Sequence, residues 1–235
     1  MAWTEHTYPD AGALAEALAA ELAHATREAL AARGTALLSL AGGRTPLPAY
    51  RDLALLPLAW SKVVVMPGDD RCVPHEHPAS NVRELRTLFA AAPGSQVQAL
   101  TTPEGDPDAS EAYARALLAG YRDVPFDATV LGMGADAHTA SLFPNARQLE
   151  QGLDRASTLE ALRIDPDPLP PEAPFPRISL TAARLLRSRA LHLVVTGSAK
   201  RAVLDQVYAS AEPMRQPVAA ILHAPGARVH VHWSP

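Results

Sequence analysis

Residues 35–70, TALLSLAGGRTPLPAYRDLALLPLAWSKVVVMPGDD, decide the fold class. The run Thr35–Leu40 is apolar, uncharged and short, so it reads as a strand buried on both faces. It runs into the pair Gly42-Gly43, and PLPAYRDLALL forms a short helix just after that loop. Lys62–Met66 is then a second buried strand, ending at Pro67-Gly68-Asp69-Asp70. A strand, a glycine turn, a helix and another strand make the repeating unit of a parallel sheet whose faces are covered by helices.

Reading outward, the same alternation continues. Upstream, DAGALAEALAAELAHATREALAARG places Leu14, Leu18, Leu22 and Ala25 at helical spacing, with Asp10 as N-cap and Gly34 as the stop. Downstream, SNVRELRTLFAAAPG is a helix in which Asn81 and Glu84 have capping-box spacing, and ASEAYARALLAGY is a helix that precedes the strand FDATVLGMG. The second half offers RASTLEAL, RISL, RALHLVV and VAAIL as strands, SAKRAVLDQVYAS as a helix and ARVHVHW as a closing strand. The expectation is one α/β domain over 1–235: a mostly parallel sheet with helices on both faces, Rossmann-like and three-layered. RISL and VHVHW are candidates for antiparallel additions. Six of the 22 prolines fall between Pro166 and Pro176, a density that forbids helix or central strand and predicts an extended surface loop.

Composition narrows the function. The 235 residues carry 21 basic and 25 acidic side chains, a net charge of −4, so there is no basic footprint for nucleic acid. No apolar stretch approaches the roughly 18 residues of a membrane span, and no leader pattern opens the chain, which points to the cytoplasm. The single cysteine, Cys72, fits a reducing compartment and excludes a cysteine-based zinc cluster.

Four stretches carry chemistry. In LSLAGGRTP, the turn Gly42-Gly43-Arg44-Thr45 lies between a buried strand and a helix start, where backbone N–H groups and the helix dipole favour an anion. A tight turn that needs glycine for its backbone alone would read the same way. In MPGDDRCVP, Asp69, Asp70 and Arg71 stand at the carboxyl end of a buried strand, where open parallel sheets bind ligands; Arg71 suits a phosphate. His75 and His77 follow in a proline-bounded loop and read as solvated side chains. In VLGMGADAHTASLFP, Asp136 and His138 sit on a glycine-rich turn, the usual way to hold a general base in one tautomer. In VVTGSAKRAVL, Lys200, one of only two lysines, falls in the first turn of a helix after Gly197, where it can complete a phosphate site or equally stand as a solvated surface lysine. His230 and His232 share one face of the last strand and, lacking a third ligand in the sequence, are read as strand-face residues without metal.

Taken together and in order, SLAGGRTP, GDDRCVPHEHPASN, GMGADAHTASLFP, PRISLT and GSAKRAVL resemble the 6-phosphogluconolactonase family, which shares its fold with glucosamine-6-phosphate deaminases. The resemblance spans nearly the whole chain. Its ASLFP ending is lactonase-like, whereas the deaminases continue toward an Asn-Glu-Pro sequence. The resemblance implies hydrolysis of a sugar-phosphate lactone without metal or cofactor by a monomer or homodimer. It implies that Gly42, Gly43, Arg44 and Thr45 cradle the phosphate, with Asp69, Arg71 and Lys200 also at the substrate. It also implies that His138 is the base and Asp136 its orienter. Three positions depart from the family pattern: Asp70 replaces a glutamate, Ala137 replaces the glycine before the histidine, and Asn145 stands where glycine often follows ASLFP. If the Ala137 position needs positive φ, its Cβ costs about 1 kcal/mol.

Overall fold

The apolar run at 36–40 becomes the interior of a seven-stranded parallel sheet. The computed structural model describes residues 3–171 and 173–235. In chain order it contains β1 (Trp3–Thr7), α1 (Ala11–Arg33), β2 (Ala36–Leu40), α2 (Leu47–Ala54), β3 (Val63–Pro67), β4 (Asp69–Arg71), α3 (Asn81–Phe89), β5 (Gln96–Val97) and α4 (Pro107–Ala119). It continues with β6 (Ala128–Gly132), α5 (Leu149–Leu153), β7 (Ala161–Ile164), β8 (Arg177–Leu180), α6 (Ala182–Leu186), β9 (Leu191–Thr196), α7 (Ser198–Ala209), α8 (Ala219–Leu222) and β10 (Val229–Ser234). The main sheet runs β1-β10-β9-β6-β2-β3-β5, and a small antiparallel sheet runs β4-β8-β7.

Strand order locates the site before any side chain is considered. From β2 the chain winds outward through β3 to β5, then returns to lay β6 on the other side of β2 and winds the opposite way through β9 to β10. The reversal opens a crevice beyond the carboxyl ends of β2 and β6, where ligands of such sheets bind.

Alternation along the strands builds the two outer layers. Ala36, Leu38 and Leu40 of β2, with Val63 and Val65 of β3, pack against α1, α2 and α3. Leu37, Met66, Leu131 and Leu193 face the opposite layer, which includes α4, α7 and the small sheet. Helix α1 begins on the Asp10 side chain, which accepts from the Ala13 N–H at 2.8 Å, and ends on Gly34 at φ 75°. Its Leu14, Leu18 and Leu22 are wholly buried, each worth about 1.5–3 kcal/mol.

Several local expectations change. The polar strand β1 went unrecognised, because WTEHT is an edge strand with no buried apolar face. VAAIL forms the short helix α8 and no strand; a five-residue apolar run fits either state, and here Ile221 N donates to Val218 O. The strand expected at RASTLEAL forms later, at Ala161–Ile164. RISL is antiparallel as expected, but VHVHW pairs parallel to both β1 and β9. The cap of α3 is Ser80, whose Oγ accepts from Arg83 N at 3.3 Å; Asn81 is the first helical residue. His75 is buried against Thr101, and His77 Nδ1 accepts from Ala79 N at 3.1 Å, so neither is a solvated loop side chain.

Asp70 ties the sheet to α3. Its carboxylate accepts from the backbone N–H groups of Asn81 (2.6 Å), Arg71 (2.8 Å) and Val82 (3.0 Å). The shorter side chain that departs from the family pattern therefore organises both the turn after β4 and the start of a helix. Asp70→Ala orphans these donors and is expected to lower stability by about 2–4 kcal/mol in chemical denaturation at neutral pH.

Candidate active site

Four loops leave the carboxyl ends of the adjacent strands β9, β6, β2 and β3 and meet over the crevice. The first follows β2. Ala41 N donates to Val130 O at 3.1 Å, and the Tyr50 hydroxyl donates to Ala41 O at 3.1 Å, so both the sheet and α2 fix the loop root. A Cβ on Gly42 would lie 2.2 Å from Asn81 Oδ1, and Gly43 takes φ 93°. Both glycines are thus required for different reasons: close approach at one, a left-handed backbone at the other. Arg44 is exposed at the mouth of the crevice.

The second loop carries Asp69 and Arg71. Arg71 donates through one terminal nitrogen to Ala79 O at 2.9 Å and to Asn81 Oδ1 at 2.8 Å. Its buried Nε has no partner among the described residues. Asn81 in turn donates to Asp69 O at 2.7 Å, and the Asp69 carboxylate accepts from the Ser141 hydroxyl.

The third loop is a tight turn closed by Gly134 N to His138 O at 3.0 Å and Ala137 N to Gly134 O at 3.1 Å. Within it His138 Nδ1 lies 2.6 Å from Asp136 Oδ1, and the imidazole rests against the Phe143 ring at 4.1 Å between centroids. A Cβ on Gly134 would lie 2.2 Å from His138 Nδ1 and 2.5 Å from Asp136 Oδ1. Ala137 does adopt positive φ, 61°, and its carbonyl accepts from Val218 N at 3.0 Å. Asn145 takes φ 67°, a region asparagine tolerates. Burial pushes the Asp136 carboxyl upward, but the hydrogen bond and charge of His138 outweigh it, so Asp136 titrates below the usual carboxylate range.

The fourth loop turns at Gly197, φ 86°, into α7. Thr196 Oγ1 approaches Thr45 Oγ1 at 3.5 Å, joining the first loop to the fourth. Lys200 is half-buried at the cleft. Burial lowers its ammonium below the ordinary lysine value, against the attraction of Asp136.

These loops enclose a cleft of about 300 Å³ lined by Gly42, Gly43, Arg44, Thr45, Asp69, Arg71, His138 and Lys200. Asp136 joins through its bond to His138. The cleft also holds residues to which reading the sequence gave no part in the site: Asn81, read as a helix cap, and Ser141, Phe143 and Arg177. Arg177 is 3% exposed, donates to Phe175 O and Ala173 O at 2.9 and 3.0 Å, and lies 4.8 Å from the Phe143 centroid. Burial lowers its guanidinium pKa, and Asp69 opposes that. Its signal was an arginine inside the otherwise buried strand RISL, where a charge needs a reason. The proline-rich loop supplies Pro170 and Ala173 to the same wall, so it forms part of the cleft rim. A larger groove of about 800 Å³, lined by Arg155, Ser188, Arg189 and Arg228 among others, has no carboxylate or imidazole in its walls and so no acid–base chemistry.

An α/β fold with a cationic cleft and a histidine–aspartate pair at its topological switch defines a class of small-anion-binding enzyme. The chain matches the family model of glucosamine-6-phosphate isomerases/6-phosphogluconolactonase over residues 9–233, and it belongs to that family. It is 39% identical to a 6-phosphogluconolactonase of Pseudomonas putida over 98% of this chain and 92% of the relative. It is 34% identical to a 6-phosphogluconolactonase of Rhizobium meliloti over the whole length of both. The crystal structure of a 6-phosphogluconolactonase from Shewanella baltica superposes with a TM-score of 0.89 at 31% identity, covering 99% of this chain and 97% of that one.

Arg44, Arg71, Arg177 and Lys200 outnumber the cleft's carboxylates, so an anion should bind without any substrate chemistry. Inorganic phosphate is expected to raise the melting temperature in a saturable manner, and Lys200→Ala together with Arg44→Ala should remove most of that rise. An equal rise in the double variant would place the anion elsewhere.

Proposed function

We propose that this protein hydrolyses 6-phospho-D-glucono-1,5-lactone to 6-phosphogluconate, with His138 as general base. The observation that carries the reading is the 2.6 Å contact between His138 Nδ1 and Asp136, made inside a cleft rich in fixed cations. Lactonase relatives over the full chain length and the ASLFP ending support the same reaction.

Asp136, held ionised, accepts a hydrogen bond from the Nδ1–H of His138 and so leaves Nε2 as the basic nitrogen. Nε2 removes a proton from water as the oxygen attacks the lactone carbonyl carbon. The resulting imidazolium, stabilised by Asp136, returns the proton to the ring oxygen as the carbon–oxygen bond breaks. Water is thus added across the ester bond, and the acid product ionises. The Gly42–Thr45 loop, Arg44, Arg71 and Lys200 hold the phosphate at the far end of the substrate, and this remote binding orients the carbonyl against the water. Neither Cys72 nor Ser141 serves as a nucleophile. Burial raises the Cys72 thiol to about 12, and the Ser141 hydroxyl is committed to Asp69. Every proton transfer is assigned to a protein group, so the reaction asks for no metal or cofactor, in keeping with a cytoplasmic sugar-phosphate enzyme.

Lactone generated in situ should disappear faster than by its spontaneous hydrolysis. His138→Ala should lower kcat by about 10²–10⁴-fold with a small change in KM. Gly134→Ala, which drives a methyl group into the imidazole and carboxylate, should also lower kcat while leaving the phosphate-induced thermal shift in place. Wild-type turnover in His138→Ala would refute the base assignment. Release of ammonia from glucosamine 6-phosphate would favour the deaminase reaction of the same family.

A further inference from the structure

Away from the cleft, four of the nine histidines stand together on the sheet face covered by α1. Parallel pairing of β10 with both β1 and β9 produces the cluster: His6 is in register with His232, and His230 with His192. Period-two alternation sends Val229 and Val231 to the opposite core and turns His230 and His232 toward α1, whose Glu21 reaches over them.

The donor atoms converge. His192 Nδ1 is 3.1 Å from His232 Nε2 and 3.5 Å from Glu21 Oε2, and all three ligand atoms lie within 4.8 Å of one another. Two ligand atoms bound tetrahedrally to zinc at about 2.0–2.1 Å are separated by about 3.3 Å, so 3.1 and 3.5 Å bracket the required spacing. The other nitrogen of His232 is also engaged: Tyr8 Oη lies 2.9 Å from Nδ1. A metal-bound histidine commonly donates its second ring N–H to such an oxygen, which fixes the ring. His192 is 2% exposed and His232 is fully buried, so both imidazoles lie in the interior of the fold. The half-buried His6 and His230, themselves 3.1 Å apart, stack beside the inner pair on its more exposed side.

We propose that Glu21, His192 and His232 form a site for one divalent transition-metal ion of the zinc class, oriented by Tyr8 and separate from the lactone cleft. The set of imidazole nitrogens and one carboxylate suits zinc and its neighbours and not the oxygen-seeking magnesium or calcium. The reading of His230 and His232 as strand-face residues without a further ligand is revised accordingly: the partners come from β9 and α1, distant in sequence.

The test uses the full chain, stripped with a chelator and titrated with Zn2+ by calorimetry in a non-coordinating buffer. Binding of one ion per chain in the micromolar range or tighter, with a rise in melting temperature, is expected. Glu21 is half-buried, so Glu21→Gln should leave the fold intact while weakening Zn2+ at least tenfold. Tyr8→Phe should weaken it about 10-fold or more by loosening His232. His138→Ala, which removes the cleft imidazole, should leave Zn2+ affinity unchanged, as should His6→Gln. Absence of binding would overturn the proposal and leave the cluster a neutral hydrogen-bonded stack. Affinity unaltered in Glu21→Gln, or lost in His138→Ala or His6→Gln, would also overturn it.

Discussion

The cleft depends on one short contact, His138 Nδ1 to Asp136, and on the turn that makes the contact possible. A two-residue separation brings an imidazole and a carboxylate together only if the backbone reverses sharply, and Gly134 and Ala137 permit that reversal. At Gly134 the space of a Cβ is already filled by the two functional groups. At Ala137 a left-handed backbone is imposed on a residue that resists it, at a cost of about 1 kcal/mol. The Val218 N–H bonded to the Ala137 carbonyl and the Phe143 ring beneath the imidazole help hold this geometry.

The sheet sets where that turn can be useful. Because the winding direction reverses between β2 and β6, the Gly42–Thr45 loop and the histidine loop leave neighbouring strands, with the Arg71 and Lys200 loops on either side. No long-range coordination between the motifs is needed beyond strand order. Asp70 and Asn81 refine it. One anchors the start of α3; the other bridges Arg71 to the backbone of Asp69 and occupies the space that Gly42 leaves free.

Most of this was legible because buried parallel strands announce themselves as short apolar runs, and glycine turns at their ends mark the loops that act. What escaped lay where local pattern is weak. The edge strand β1 has no apolar face to reveal it. VAAIL satisfies a buried strand and a buried helical turn equally, and only tertiary packing chose the helix. Arg177 reaches the cleft from the antiparallel sheet, and nothing in its neighbours in sequence says that β8 pairs with β4 at the end of β3. The histidine cluster shows the same limit: His6 and His232 are in register across more than two hundred residues, a relation set by strand order and by no motif.

The central claim is that Asp136 fixes the proton of His138 on Nδ1 and leaves Nε2 free to act as base. Isotope-edited NMR of the imidazole nitrogens reads the tautomer directly, with His138 assigned by the signal lost in His138→Ala. In its neutral form His138 should show a protonated Nδ1 and a pyridine-like Nε2, and Asp136→Asn should disturb that preference. A neutral His138 carrying its proton on Nε2 in the wild-type protein would contradict the account.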